Sequence, residues 1–385
     1  MSHPVRFVWE QVPMSPPSFT PASHALLGLA PRPPEAVSIA FVVPMQGPTG
    51  IYGPGCLACG ELAAEDLNAG GGIAGRPVEL VAVDAGRAPD EVAAEVARLV
   101  ELGRVDAIAG WHISAVRQAI TARVGGRALY AFAAMHEGGD DTPGVFMLGE
   151  RPVNQLLPAA AWMRANHGVA RWAVVGNDYV FPRVTGSTAR AALRGSPSEV
   201  VSETYVPLGT RDFAGVLRGL EGGEQDGVIM LLMGQDAVHF NRQFAAAGLS
   251  SSLTRLSPAV EENTLLAGGA GANANVFAAA AYFDGLATPE SAGLSERYYR
   301  RFGEYAPSLN AVGESCYESL MFLRQIGDAC GGLEVESALG LTAHHSYSSP
   351  RGLMRMHGNL VDQDVYIAAA DGLRFEIQEQ IAYAS

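Results

Sequence analysis

The feature that most constrains this chain is a regular alternation of short β-branched apolar runs with longer helical stretches, beginning near residue 38. The run 38–44 (SIAFVVP) is continuously apolar, of strand length, and bounded by turn residues. Such a run suits a strand buried on both faces of a parallel sheet. The loop GPTGIYGPG follows, and 57–68 (LACGELAAEDLN) reads as a helix. A strand at 78–84 (VELVAVD) precedes a helix at 89–102, whose apolar stripe is Val92, Val96, Leu99 and Val100. Strands at 106–110 and 128–133, with a helix at 114–124 between them, bring the count to four strand–helix alternations in about a hundred residues. That is the pattern of a doubly wound parallel sheet.

The pattern then restarts. Strands are expected at 145–148, 171–176, 200–206, 227–233, 255–257 and 276–283, and helices at 154–166, 183–193, 213–220 and 237–247. Two further helices follow at 291–305 and 311–330, then a tail of β-like segments with a turn at Asp371-Gly372. At ~150 residues per domain, 385 residues allow two to three domains. The fold class expected is α/β, two doubly wound lobes with returning segments.

Composition removes several functions. Acidic residues number 40 and basic residues 26, and the net charge of −14 argues against nucleic acid or an anionic membrane as partner. Every basic residue is arginine. Without lysine there is no P-loop lysine, no kinase strand lysine and no Schiff-base amine. No run approaches the ~18 apolar residues of a membrane helix. Residues 1–36 carry little of a secretory leader and read as a Pro-rich arm, which gives a cytoplasmic expectation. A periplasmic or extracytoplasmic location is the alternative if the start is misassigned. The arm has a partner or a sister subunit, as in a homodimer, as its candidate docking surfaces. Cys56 and Cys59 form a lone CxxC, read as two small apolar residues on one helix in preference to a redox or zinc site. No pattern calls for a cofactor or a metal.

Two doubly wound lobes create a cleft at the carboxyl ends of their strands. The segments after the strands are GPTGIYG with Tyr52, WHIS with His112 and Ser114, AMHEG with Ala134 and His136, NDYVFPR with Tyr179 and Phe181, GQD with Gln235, and PAVEE with Glu261. They supply aromatic walls and a few donors and acceptors, as a small polar ligand requires. Ser114 opens a helix, either as an N-cap or as a donor to a ligand oxygen. Tyr179 and Phe181 share a face if their loop is extended. Pro182 is expected at the first position of a helix. His112, Ser114 and Asp178 sketch a hydrolytic triad, but no GxSxG elbow accompanies them.

The stretches AAEDLNAGGGIAGRPVELVAVD, IAGWHISAVRQAI, VVGNDYVFPRVTGSTARAAL, VSETYVPLGTRDFAGVL and PRGLMRMHGN resemble the type I periplasmic binding proteins, in the leucine/isoleucine/valine-binding branch. Within that branch they are most similar to amide-sensing negative regulators of aliphatic amidase operons and to urea and short-chain amide binders. The resemblance implies a non-catalytic protein that closes two lobes on an amide, urea or amino-acid-like molecule. It implies a ligand serine at Ser114 and a preceding aromatic at His112. The family's tyrosine and threonine after the fourth strand fall on Phe132 and Ala134, its two tyrosines on Tyr179 and Phe181, and its acidic residue on Glu261 or Glu262. Losing that hydroxyl pair, with His112 and His136 offered instead, points to a larger or more apolar amide than acetamide, or to another small polar ligand. The resemblance also implies a multi-strand hinge, with lobe 1 at 37–150 plus 285–342 and lobe 2 at 151–284 plus 343–385. An intracellular amide sensor with a regulatory protein partner is the leading expectation. The alternative is the solute-binding component of an ABC importer working with a permease; an amide or ester hydrolase is the lesser one.

Overall fold

The computed structural model describes residues 7–9, 35–340 and 343–383. Most of the Pro-rich arm therefore lies outside the described residues. The first unit runs β1 (Phe7–Trp9), β2 (Val37–Val43), α1 (Gly53–Ala69), β3 (Val78–Asp84), α2 (Pro89–Glu101), β4 (Ala107–Gly110), α3 (Ser114–Val124), β5 (Leu129–Phe132) and β6 (Val145–Met147). The second runs α4 (Leu156–His167), β7 (Arg171–Asn177), α5 (Val180–Leu193), β8 (Glu199–Val206), α6 (Ala214–Glu221), β9 (Gly227–Leu231), α7 (Gln235–Ala246), β10 (Thr254–Ser257), α8 (Glu262–Gly268) and β11 (Val276–Ala280). The chain ends with α9 (Pro289–Phe302), α10 (Ala311–Cys330), α11 (Val335–Leu339), β12 (Ala343–Ser349), β13 (Gly352–His357), β14 (Leu360–Asp362), β15 (Val365–Asp371) and β16 (Arg374–Ile381).

These strands form two sheets. The first has the order β1-β3-β2-β4-β5-β6-β14-β13-β12 and the second β16-β15-β11-β10-β9-β7-β8. β2 lies between β3 and β4, parallel to both, and all seven of its residues are buried. That placement is why its sequence is an unbroken apolar run. β8 sits at a sheet edge and mixes exposed with half-buried positions. Gly60 lets α1 lie close on β2, because a Cβ there would stand 2.5 Å from the Phe41 ring.

The returning helices pack on the first lobe. α10 lies along α1 and reaches β4 and β5. Asn310 caps it, accepting from the Gly313 N–H at 2.8 Å, and Gly331 ends it in the left-handed region. Arg301 of α9 pairs with Glu61 at 2.5 Å and Glu65 at 3.0 Å on α1. The tail departs from the expected division. Residues 343–385 were expected in lobe 2, yet β12–β14 extend the first sheet through β14 and β6, and only β15 and β16 join the second. The hydrogen bond from the Met147 N–H to Asn359 O, at 2.8 Å, fixes that junction. Short strands carry no local signal of which sheet edge they extend.

The chain thus passes between the lobes at 148–155, 281–288 and 363–364. The crossings are stitched together. Glu150 accepts from the Ala281 N–H at 2.7 Å, Gln363 donates to Leu148 O at 3.0 Å, and Arg151 pairs with Asp362 at 2.5 Å. Among the described residues no helix is long and apolar enough to cross a membrane.

Candidate functional site

Loops after β2, β4 and β5 of the first lobe meet loops after β7, β9 and β10 of the second. Tyr52 is the clearest bridge. It is buried, donates its hydroxyl proton to Ala259 O at 3.1 Å and accepts from the Gly234 N–H at 2.9 Å. Trp111 braces it edge-on, with ring centroids 5.0 Å apart. Two more hydrogen bonds run beside it: the Gln235 backbone N–H donates to Pro48 O at 2.9 Å, and the Asn263 side-chain amide donates to Ile51 O at 3.1 Å. Gln235 also borders a crevice of about 350 Å³, lined by Gly47 and Pro48 on one side and Gly209, Asp236 and His239 on the other.

Deeper in the cleft, Met135 from the first lobe packs against Phe181, Met233 and Ala259 of the second, with Tyr179 and Leu208 alongside. Tyr179 and Phe181 reach this apolar nest, but not by an extended loop. Tyr179 is the residue before α5 and Phe181 lies within the helix, so Pro182 falls at its third position and not its first. A proline there loses no helical hydrogen bond, because the first turn's N–H groups have no intrahelical acceptor.

Ser114 differs from the N-cap expectation. It begins α3 proper, Ile113 is the cap, and no side chain caps the helix. The Ser114 hydroxyl instead donates to Glu137 Oε2 at 2.6 Å. Arg117, one turn along α3, donates to Glu137 Oε1 at 2.6 Å and also contacts Asp140. The loop holding Glu137 was marked in the sequence; Glu137 itself was not. Its signal was an acid three residues after Ala134, within reach of an arginine on the neighbouring helix.

His112 is buried in the first sheet. Its Nδ1 donates to Val42 O at 3.0 Å, and its Nε2 accepts from the Tyr130 hydroxyl. Phe132 stands edge-on to it at 5.2 Å and lies under the Arg117 guanidinium at 5.5 Å. Ala134 is buried just beyond β5. His136 is buried too, and its Nδ1 accepts from the Gly138 N–H at 3.0 Å. Burial above all pushes both imidazoles down, His112 to about 4 and His136 to about 3, with the Arg117 charge acting the same way. The proton is thus excluded from folded His112 while the unfolded chain still takes it near pH 6.5. Stability attributable to His112 is lost as pH falls from 6.5 toward 4. Between pH 7 and 4.5, wild type should lose about 2–3 kcal/mol more than a His112→Gln variant, read from urea titrations at each pH. Parallel curves would contradict a buried neutral ring.

Glu261 lies at the hinge side of the cleft. Its Oε2 accepts from the Ala311 N–H at 3.1 Å, at the start of α10. Burial, with Glu262 and Glu150 nearby, pushes its carboxyl well above the usual range. The triad sketch is not assembled. Ser114 is engaged by Glu137 and His112 by Val42 and Tyr130, while Asp178 pairs with Arg183 at 2.8 Å. Cys56 and Cys59 are buried, unpaired thiols on α1. Among the described residues no group of three or more His, Cys, Asp or Glu side chains is arranged to hold a metal ion.

Residues 36–373 match a family described as periplasmic binding protein. The chain belongs to that family. As a periplasmic binding protein it has the two-lobed type I architecture, and solved structures bear the same fold. A solute binding protein of an ABC transporter from Rhodopseudomonas palustris, in complex with 3,4-dihydroxy benzoic acid, is 19% identical with a TM-score of 0.81, covering 90% of this chain and 98% of that one. The branched-chain amino acid transporter substrate binding protein of Streptococcus pneumoniae, in complex with isoleucine, is 14% identical with a TM-score of 0.78, covering 90% and 99%. An ABC transporter substrate-binding protein from Sphaerobacter thermophilus is 25% identical with a TM-score of 0.75, covering 90% and 98%.

Proposed function

We propose that this periplasmic binding protein is the solute-binding component of an ABC-type importer and holds a small organic molecule, polar at one end and apolar along its body, between its lobes. The observation that carries this reading is the cross-lobe seam, where the Tyr52 hydroxyl takes one hydrogen bond from Gly234 and gives one to Ala259 beside an apolar nest drawn from both lobes. A ligand that adds contacts to both faces favours the closed form by its differential affinity. The transport roles of the three similar proteins support an importer over an intracellular amide sensor with a regulatory partner. A location outside the cytoplasm goes with that role, and the permease is the implied partner. The ligand is bound and released unchanged, with no catalytic step.

A thermal-shift panel of urea, short and aromatic amides, branched-chain amino acids and benzoates tests this. A ligand at about a hundred times its dissociation constant adds ~2.7 kcal/mol and raises the unfolding midpoint. The expected result is stabilisation by one class and recovery of that ligand intact by mass spectrometry. Recovery of a hydrolysed product would overturn the non-catalytic reading. Cell fractionation separates the two roles, since a regulator stays in the cytoplasmic fraction.

A further inference from the structure

The strong donors at the first-lobe end of the cleft are occupied by the chain's own carboxylates. Glu137 accepts from the Ser114 hydroxyl through one oxygen and from Arg117 through the other, both at 2.6 Å, and Gln118 lies 3.3 Å from the second. The remaining Arg117 amine group is held by Asp140. The Arg117 and Glu137 side chains are 2% and 5% exposed. Ser114 opens α3 and Arg117 follows one turn along, so the cluster adjoins a helix N-terminus, where the dipole favours an anion. Hydroxyl, guanidinium and helix N-terminus are together the set that a ligand carboxylate would need. One guanidinium faces two carboxylates, so the cluster carries an excess negative charge. Met135, two residues before Glu137, packs into the apolar nest across the cleft. Burial raises the Tyr179 phenol, and the charges of Tyr52 and Glu137 act in the same direction.

We infer, building on the solute-binding reading, that Glu137 sets ligand specificity by standing where a ligand carboxylate would bind, so that the cleft rejects acids and selects a molecule whose polar end donates N–H, a primary amide or an ammonium group. Each carboxylate oxygen accepts more than one hydrogen bond, so Glu137 keeps acceptor capacity for such a donor. A second carboxylate brought beside it meets like charge in a water-poor site. Specificity of this kind comes from a repulsive element as much as from an attractive one.

The test is calorimetry of the full chain with two matched pairs, benzamide against benzoate and leucinamide against leucine. Wild type should bind at least one amide roughly tenfold or more tightly than its acid, a difference of about 1.4 kcal/mol. In Glu137→Gln, Arg117 is released to take the ligand's acid, and the ratio should fall by about tenfold or invert. Equal or tighter binding of the acid by wild type overturns the inference while leaving the solute-binding reading intact. An unchanged ratio in Glu137→Gln overturns it as well. If the variant does not fold, the wild-type ratio alone decides. A wild type that binds neither pair, and is stabilised by nothing in the wider panel, overturns both readings.

Discussion

Replacing Arg351 with methionine should lower the free energy of unfolding by about 3–5 kcal/mol, the cost of leaving a buried carboxylate without its cation. Arg351 is 1% exposed and contacts Glu314, itself fully buried, on α10. It also reaches Ser315, Ala311 O at 3.2 Å and Gln363 at 3.3 Å. Burial pushes Glu314 up to about 7 against the pull of Arg351, with Glu318 and Glu150 adding to the rise. The arginine therefore neutralises an acidic centre while tying the β12–β13 turn to α10 and to the last crossing between the lobes. A double variant, Arg351→Met with Glu314→Leu, should recover more than half of the loss, because apolar side chains of similar volume replace a buried pair at little cost. Urea unfolding reads both effects. A loss under about 1 kcal/mol for the single variant would contradict the burial of this pair.

Tyr52→Phe should weaken ligand binding by roughly thirtyfold, about 2 kcal/mol, with a smaller effect on overall stability. The ring and its contact with Trp111 remain, but Gly234 N–H and Ala259 O lose their partner across the seam. In an open form water satisfies both groups, so the penalty falls on the closed form. Gly234→Ala attacks the same seam from the other lobe. Gly234 has φ +53°, and a Cβ there would lie 2.3 Å from Pro48 O. Both variants should raise the dissociation constant measured by calorimetry while keeping the wild-type circular dichroism. Unchanged affinity in both would separate the seam from the binding event.

The two-lobed fold was legible because buried parallel strands write themselves as uninterrupted apolar runs. Val37–Val43 and Gly227–Leu231 are fully buried and were found within a residue or two. The tail was not legible in the same way: 343–362 pairs with the first sheet through a contact at Met147 made some two hundred residues away. The post-strand loops were also legible, and Tyr52, Tyr179 and Phe181 do converge at the cleft. Their detailed roles were not. Ser114 became a donor to Glu137 because Arg117, one turn on, fixes that carboxylate beside it. His112 stands two residues before Ser114 in WHIS, yet its ring is engaged within the first lobe by Val42 and Tyr130, partners that lie 70 and 18 residues away in sequence. Arg351 and Glu314 lie 37 residues apart, so no local pattern could have paired them.

A small molecule held between the lobes should shift them toward the closed arrangement. Small-angle X-ray scattering of wild type and Tyr52→Phe, with and without the ligand that stabilises the protein, tests it most directly. The expected result is a smaller radius of gyration on ligand addition in wild type and a weaker response, at equal ligand concentration, in Tyr52→Phe. Saturating binding with the same radius of gyration and the same scattering curve in the free and bound wild-type protein would contradict it.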